Sequence, residues 1–265
     1  MFPRLLSLLF LASSFTAFAQ ELPQHGVLQR TDSVDSDKLG PDFRKGRRAA
    51  LRALLPEHGV AVLRAGTVKN RSNDVDYEFH QDPDFHYLTG VDEPEAVLFV
   101  FKEPRMIRGE KVDELLVVRD RNPKAEIWTG ERLGADGAET VSGATLAIGA
   151  QAFVGLDPLL MKADEVFVNA TGGGEDVALE KAVEGQLAGR NAGNGQLSGW
   201  MADLRQEKLP EEVALMRKAI DITCLAEHTL MRLLEPNMAE FQAEAIVQYV
   251  FTNAGAEHEG YPSIL

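Results

Sequence analysis

Asp82-Pro83-Asp84-Phe85-His86-Tyr87-Leu88-Thr89-Gly90, followed by Ala96-Val97-Leu98-Phe99-Val100-Phe101, is the stretch on which the fold turns. Its first part carries both ends of a short helix. An Asp side chain accepts hydrogen bonds from free first-turn amides, and proline tolerates the first helical position, where no N–H is needed. Gly90 closes the helix, because glycine takes the left-handed conformation at little cost. The second part is a short apolar run bounded by polar and turn residues, the mark of a buried strand. The same signal recurs at Val60-Ala61-Val62-Leu63 and over residues 114–118. Upstream, residues 42–57 place Phe43, Ala50, Leu51, Leu54 and Leu55 on one side of a 3.6-residue period, with Gly59 positioned to end that helix. Downstream, a helix over 156–161, a strand over 166–169 and a helix over 177–187 continue the alternation. Helices and strands in this order predict an α/β fold, a mixed sheet flanked by helices.

A second region is expected from about Trp200. Pro210, Glu211 and Glu212 form the first turn of a helix whose apolar face is Val213, Met216, Ile220, Cys224, Leu230 and Leu234. A further helix is predicted over 238–253, with Asn237 and Glu240 at capping-box spacing and Gly255 beyond its end. Gly260 to Leu265 then reads as the start of a strand. Two amphipathic helices and one beginning strand cannot bury their own faces without a further layer. The sequence therefore reads as stopping inside a domain, with an uncovered apolar face over 210–253.

The 265 residues, 45% hydrophobic and 26% charged, suffice for one large or two modest globular domains. At the N-terminus Arg4, the apolar run 5–15 and Ala17-Phe18-Ala19 follow the pattern of an export signal cut after Ala19, too short to span a bilayer. An exported protein, periplasmic or secreted, is expected, with a flexible mature N-terminus over 20–40. Removing residues 1–19 takes one Arg and no acid, so the formal charge moves from −14 to −15. An acidic surface is repelled by nucleic acid and by anionic lipid, so neither is an expected partner. The basic run Arg44, Lys45, Arg47, Arg48, Arg52 has helical spacing and reads as a solvated helix face. The single cysteine, Cys224, excludes an internal disulfide and reads as a small buried hydrophobe.

His80, Asp82, Asp84 and His86 form the densest polar cluster. They alternate as metal ligands can, but a helix beginning at Asp82 fans them around a turn, and capping is the preferred reading. Glu257-His258-Glu259 falls between helix and strand and reads as a solvated loop. Gly172-Gly173-Gly174 lacks the following Lys-Ser/Thr of a phosphate loop. No Gly-x-Ser-x-Gly, His-Glu-x-x-His or Cys-x-x-Cys pattern is present, and the residues alone point to an α/β domain without a visible active site.

A longer pattern is nonetheless present. Arg71-Ser72-Asn73-Asp74, residues 77–90, Glu93-Pro94-Glu95-Ala96-Val97-Leu98, Arg119-Asp120, residues 126–134, then Leu204-Arg205, Lys208, Pro210, Glu212 and Leu215-Met216-Arg217-Lys218-Ala219 follow one another in register. With Glu235-Pro236, Glu240, Ala254-Gly255-Ala256 and Tyr261-Pro262-Ser263-Ile264, they resemble aminopeptidase P, the Xaa-Pro aminopeptidases, across residues 41–265. The resemblance implies a creatinase-like N-terminal domain over 41–199 and, over 200–265, the start of an incomplete α+β pita-bread catalytic domain. It implies a metallopeptidase that releases the residue before proline, acts on proline-containing peptides and forms a homo-oligomer. Two divalent metals, manganese above all, are held in that family by two Asp, one His and two Glu, a donor set that suits manganese. None of those five positions falls on this sequence, so no catalytic or metal residue is assigned in this chain. In family oligomers the segment around His86 can approach a neighbour's active site, so the resemblance implies a substrate-edge role for His86, where the family often has a larger aromatic; plain packing is the alternative. Leu209 and Ala239 stand where a capping hydroxyl is usual. A prolidase acting only on dipeptides shares the architecture, and a non-catalytic binding or oligomerisation module is the reading from another class.

Overall fold

The computed structural model describes residues 38–156, 163–169, 177–187, 191–192 and 194–264. The expected signal peptide, nearly all of the 20–40 tail and of the 156–161 helix, and the Gly172-Gly173-Gly174 loop lie outside them. The chain divides into two compact units, one over Leu39–Leu209 and one containing Pro210–Leu265.

The first unit opens with α1 (Pro41–Leu54), β1 (Gly59–Arg64), a small hairpin of β2 (Asn70–Ser72) and β3 (Val75–Asp76), and α2 (Pro83–Thr89). It continues with β4 (Val97–Ile107), β5 (Glu110–Val118), α3 (Pro123–Thr129), α4 (Gly134–Ser142), β6 (Ala147–Gly149), α5 (Ala150–Val154), β7 (Glu165–Val168), α6 (Val177–Leu187), β8 (Asn191–Ala192) and α7 (Asn194–Gln206). Six strands form one mixed sheet in the order β6-β5-β4-β1-β7-β8. The β1–β4 and β4–β5 pairs are antiparallel, and the other three are parallel. Strand residues alternate between the faces, apart from a register irregularity where β4 pairs with β5 between Val100 and Arg105. Ala61, Leu63, Leu98, Val100, Leu116 and Val118 join Leu51 and Leu55 of α1, Phe85 and Leu88 of α2 and Leu197 and Met201 of α7 in one buried layer. Val60, Val62, Val97, Phe99, Phe101, Leu115 and Val117 join Phe153 of α5 and Leu179 and Val183 of α6 in the other. Burying a side chain of that size contributes about 1.5–3 kcal/mol, so a sheet covered on both faces is the main source of stability here.

Three boundaries depart from the sequence reading, each for a local reason. α1 ends at Leu54 and not near Glu57, because Leu55 precedes Pro56, whose ring disfavours the helical conformation, and Leu55 is extended at ψ 139°. The strands expected at 96–101 and 114–118 extend toward each other as β4 and β5 and meet at Arg108-Gly109. Both turn residues have positive φ, 52° and 86°, as the tightest hairpin turn requires. The third departure is the end of the unit, which lies at Leu209, beyond the boundary expected at 199/200. Leu197 and Met201 are 1% exposed, and Trp200 packs on Phe167 with ring centroids 4.8 Å apart.

The basic run on α1 is a larger correction. Arg48 is wholly buried and Arg44 nearly so, where a solvated face was expected. The cause is Glu114, which shares the parity of Leu116 and Val118 on β5 and so faces α1. Its carboxylate accepts from Arg48 Nε at 2.9 Å and Nη2 at 2.8 Å, from Arg52 Nη2 at 3.0 Å and from the Thr145 amide at 3.1 Å. Arg48 Nη1 donates to Leu88 O at 2.7 Å and Ser142 O at 2.9 Å, joining the ends of α2 and α4. A buried ion pair is tolerable only when its remaining donors and acceptors are met in this way. Arg44 donates to Leu39 O and to His86 O, at 3.0 and 2.9 Å. Burial, and then the neighbouring Arg48 charge, lower its pKa to about 10, which leaves it cationic at neutral pH.

The second unit has α8 (Pro210–Leu233) and α9 (Glu240–Asn253), with Ala226, Ala243 and Val250 buried. Met216 (48% exposed), Ile220 (57%), Met231 (65%), Leu234 (59%) and Phe241 (70%) stand open, as the sequence predicts for an uncovered face. Cys224 is exposed, not buried, since it too lies on the open side. Ala239 is the N-cap of α9, and Gln242 Oε1 accepts from the Ala239 amide at 2.9 Å. Asn237, the expected cap, instead takes φ 70° in the linking turn. Residues 260–264 form no strand. Among the described residues no helix is long and apolar enough to cross a membrane.

Candidate functional site

The pattern at residues 77–95 folds around α2, and its geometry follows from the side chains of Asp82, Gln81 and Glu93. Asp82 Oδ1 accepts from the amides of Asp84 at 3.1 Å and Phe85 at 2.9 Å, so the cap forms where the spacing places it. Gly90 ends the helix at φ 65°, and a β-carbon there would lie 1.9 Å from Cζ of Arg44. Just before the cap, buried Gln81 accepts from the amides of Gly66 at 2.5 Å and Asp82 at 2.8 Å, and donates to Val91 O and Glu93 O at 3.0 and 2.9 Å. Glu93 accepts from the Leu133 amide at 2.6 Å and from Arg119 Nη2 at 3.3 Å. These bonds tie the Glu93-Pro94-Glu95 turn to the start of α4.

The four residues of the polar cluster do not converge. Asp82 caps, Asp84 Oδ1 accepts from Arg205 Nη1 at 2.6 Å, and His80 Nδ1 lies 3.0 Å from Gln81 O. His86 is half-buried on α2, with its carbonyl engaged by Gly90 N and Arg44 Nη1. No three His, Cys, Asp or Glu side chains gather as a metal requires among the described residues.

Two clefts open among the described residues. One, of about 730 Å³, lies at the carboxyl ends of the parallel strands β5 and β6, lined by Asp120, Arg121, Gly134, Asp136, Gly149 and Gln151. Asp120 Oδ2 already accepts from the Gln151 amide at 3.0 Å, which occupies the start of α5. Beside it, Arg121 holds Glu126 through a hydrogen bond at 2.9 Å that lowers the Glu126 pKa and raises its own. The other cleft, of about 420 Å³, lies within the second unit between α8, α9 and the following loop, and Glu257, His258 and Glu259 line it. Glu257-His258-Glu259, read from sequence as a solvated loop, thus borders a cleft, while the first cleft is built partly by α4 and β6, whose short runs carry no clear period.

Residues 44–167 match the family model for the aminopeptidase P N-terminal domain. That stretch is an aminopeptidase P N-terminal domain. Xaa-Pro aminopeptidase of Escherichia coli strain K12 is 31% identical over 240 residues, which cover 84% of this chain and 52% of that protein. Aminopeptidase P of Pseudomonas aeruginosa superposes with a TM-score of 0.71 at 29% identity, over 83% of this chain and 50% of that one. A zinc-substituted E. coli aminopeptidase P, solved with product, superposes at 0.69 and 28% identity, over 84% and 52%. The chain thus spans about half the length of these aminopeptidase P relatives, and the share of it that they match exceeds residues 1–209, so the likeness reaches into the second unit. The mixed sheet flanked by helices is the N-terminal architecture of aminopeptidase P.

Proposed function

We propose that this chain is the N-terminal domain and the opening of the catalytic domain of an exported Xaa-Pro aminopeptidase, a hydrolase that releases the first residue of peptides with proline second. The observation that carries the reading is the 31% identity to an Xaa-Pro aminopeptidase across 84% of the chain, a share that reaches into the second unit. Paired divalent metals, manganese in this reading, supply such an enzyme with a nucleophile by lowering the pKa of a bound water. The residues of this chain do other work. α2, capped by Asp82 and closed at Gly90, holds His86 half-exposed on a rigid element, as a substrate-edge residue in a homo-oligomer requires. α8 and α9 offer an apolar face for the rest of a catalytic domain to cover.

The test is turnover by the parent protein of a tripeptide Xaa-Pro-Yaa against a dipeptide Xaa-Pro. Release of the first residue from the tripeptide, abolished by a chelator and restored by manganese, is the expected result. Cleavage of the dipeptide alone makes the parent a prolidase. Stoichiometric manganese binding and turnover by the 265-residue chain itself would overturn the assignment of the ligands to sequence outside it.

A further inference from the structure

The last turn of α7 is fastened to α2 by three side chains that the proposed reaction does not use. Arg205 Nη1 donates to Asp84 Oδ1 at 2.6 Å, and its guanidinium carbon lies 6.0 Å from the centroid of the Tyr87 ring. Tyr87 Oη donates to Leu204 O at 3.2 Å, one of the carbonyls that the end of a helix leaves without an intrahelical partner. Lys208 Nζ folds back to donate to Arg205 O. The charges also suit both helices, since Asp84 lies in the first turn of α2 and Arg205 in the last turn of α7.

The two ends of this contact differ in firmness. Tyr87 is 8% exposed and meets Phe43 edge to face at 5.5 Å, so it is anchored in the core. The Arg205 and Asp84 side chains are 42% and 24% exposed, so their ion pair sits where water and salt reach it. Earlier in α7 the hold is apolar and independent of them, through Leu197, Met201 and the tilted packing of Trp200 on Phe167. Beyond Gln206 only a short connector precedes Pro210, where the second unit begins.

We propose that Asp84, Tyr87 and Arg205 form a clasp that decides whether residues 204–209, the stem by which the chain leaves the first unit, is fixed or free. Closed, it makes the stem one body with the helix that carries His86. Open, it lets the last turn of α7 fray back only as far as Met201, because the apolar contacts of α7 remain. The clasp stands on geometry within the first unit and does not depend on the peptidase reading.

Hydrogen exchange measured by mass spectrometry on the 265-residue chain tests it, since local opening is read amide by amide. Arg205→Ala is expected to speed exchange at 204–209 about threefold, the range open to a partly solvated ion pair, while β1 and β4 keep their rates. Tyr87→Phe is expected to act on the same amides, and Arg205→Lys to retain part of the protection. Sodium chloride at about 1 M should loosen the stem in the wild type and not in Arg205→Ala, because salt screens exposed charges. Asp84→Asn combined with Arg205→Ala should be no faster than Arg205→Ala alone. Unchanged exchange at 204–209 in both Arg205→Ala and Tyr87→Phe, or acceleration that spreads equally to β4, would overturn the proposal.

Discussion

The first unit covers both faces of its sheet, whereas the second leaves one face of its two helices open. In the first, every apolar strand position from Val60 to Leu63 and from Val97 to Phe101 is buried, and even the charges of Arg48 and Glu114 are enclosed and paired. In the second, Ala226, Ala243 and Val250 are buried while Met231 and Phe241 are 65% and 70% exposed. The difference teaches that amphipathic helices become a stable layer only against a further layer, whatever their own propensities.

The largest expected effect comes from separating the two regions. Residues 39–209 alone are expected to be monodisperse and to unfold in one cooperative step, whereas the 265-residue chain associates and binds a hydrophobic dye through its open face. Light scattering and dye fluorescence would reverse the comparison if the full chain proved monomeric and dye-free. Within the first unit, Glu114→Ala leaves Arg48 buried and unpaired and is expected to cost about 3–5 kcal/mol in urea unfolding. Arg48→Met with Glu114→Leu should recover most of that loss, which separates the need for pairing from any net gain of the pair. Gly90→Ala, at φ 65° and against Arg44, is expected to cost about 1–3 kcal/mol by the same measurement. Asp82→Ala, which removes only a cap, should cost about 1 kcal/mol.

Legibility followed the range of the signal. Asp82 and Gly90 are readable because a cap and a helix stop depend on residues within one turn. Arg48 is misread as solvated because its partner Glu114 is distant in sequence, although an acid on the apolar parity of β5 hints at it. The extent of α7 is missed because its inward positions, buried Leu197 and Met201 and partly buried Trp200, are too few for a clear period. Cys224 shares an apolar face with Ile220, and burial of such a face depends on a covering layer that periodicity does not supply. At the candidate site, the Asp82 cap is legible, whereas the engagement of Asp84 by Arg205 and of Glu93 by the Leu133 amide depends on distant elements meeting.

Gln81 carries a consequence for the chemical ageing of the protein. Its side-chain amide uses both its acceptor and its donor ends, receiving two backbone N–H groups and donating to two carbonyls. Deamidation to glutamate would keep the shape and abolish the donors, turning an anion toward the oxygens of Val91 and Glu93. The same enclosure that makes this lesion intolerable keeps hydrolytic water away from the amide, so the strand of chain leading into α2 is shielded from the damage it could least withstand.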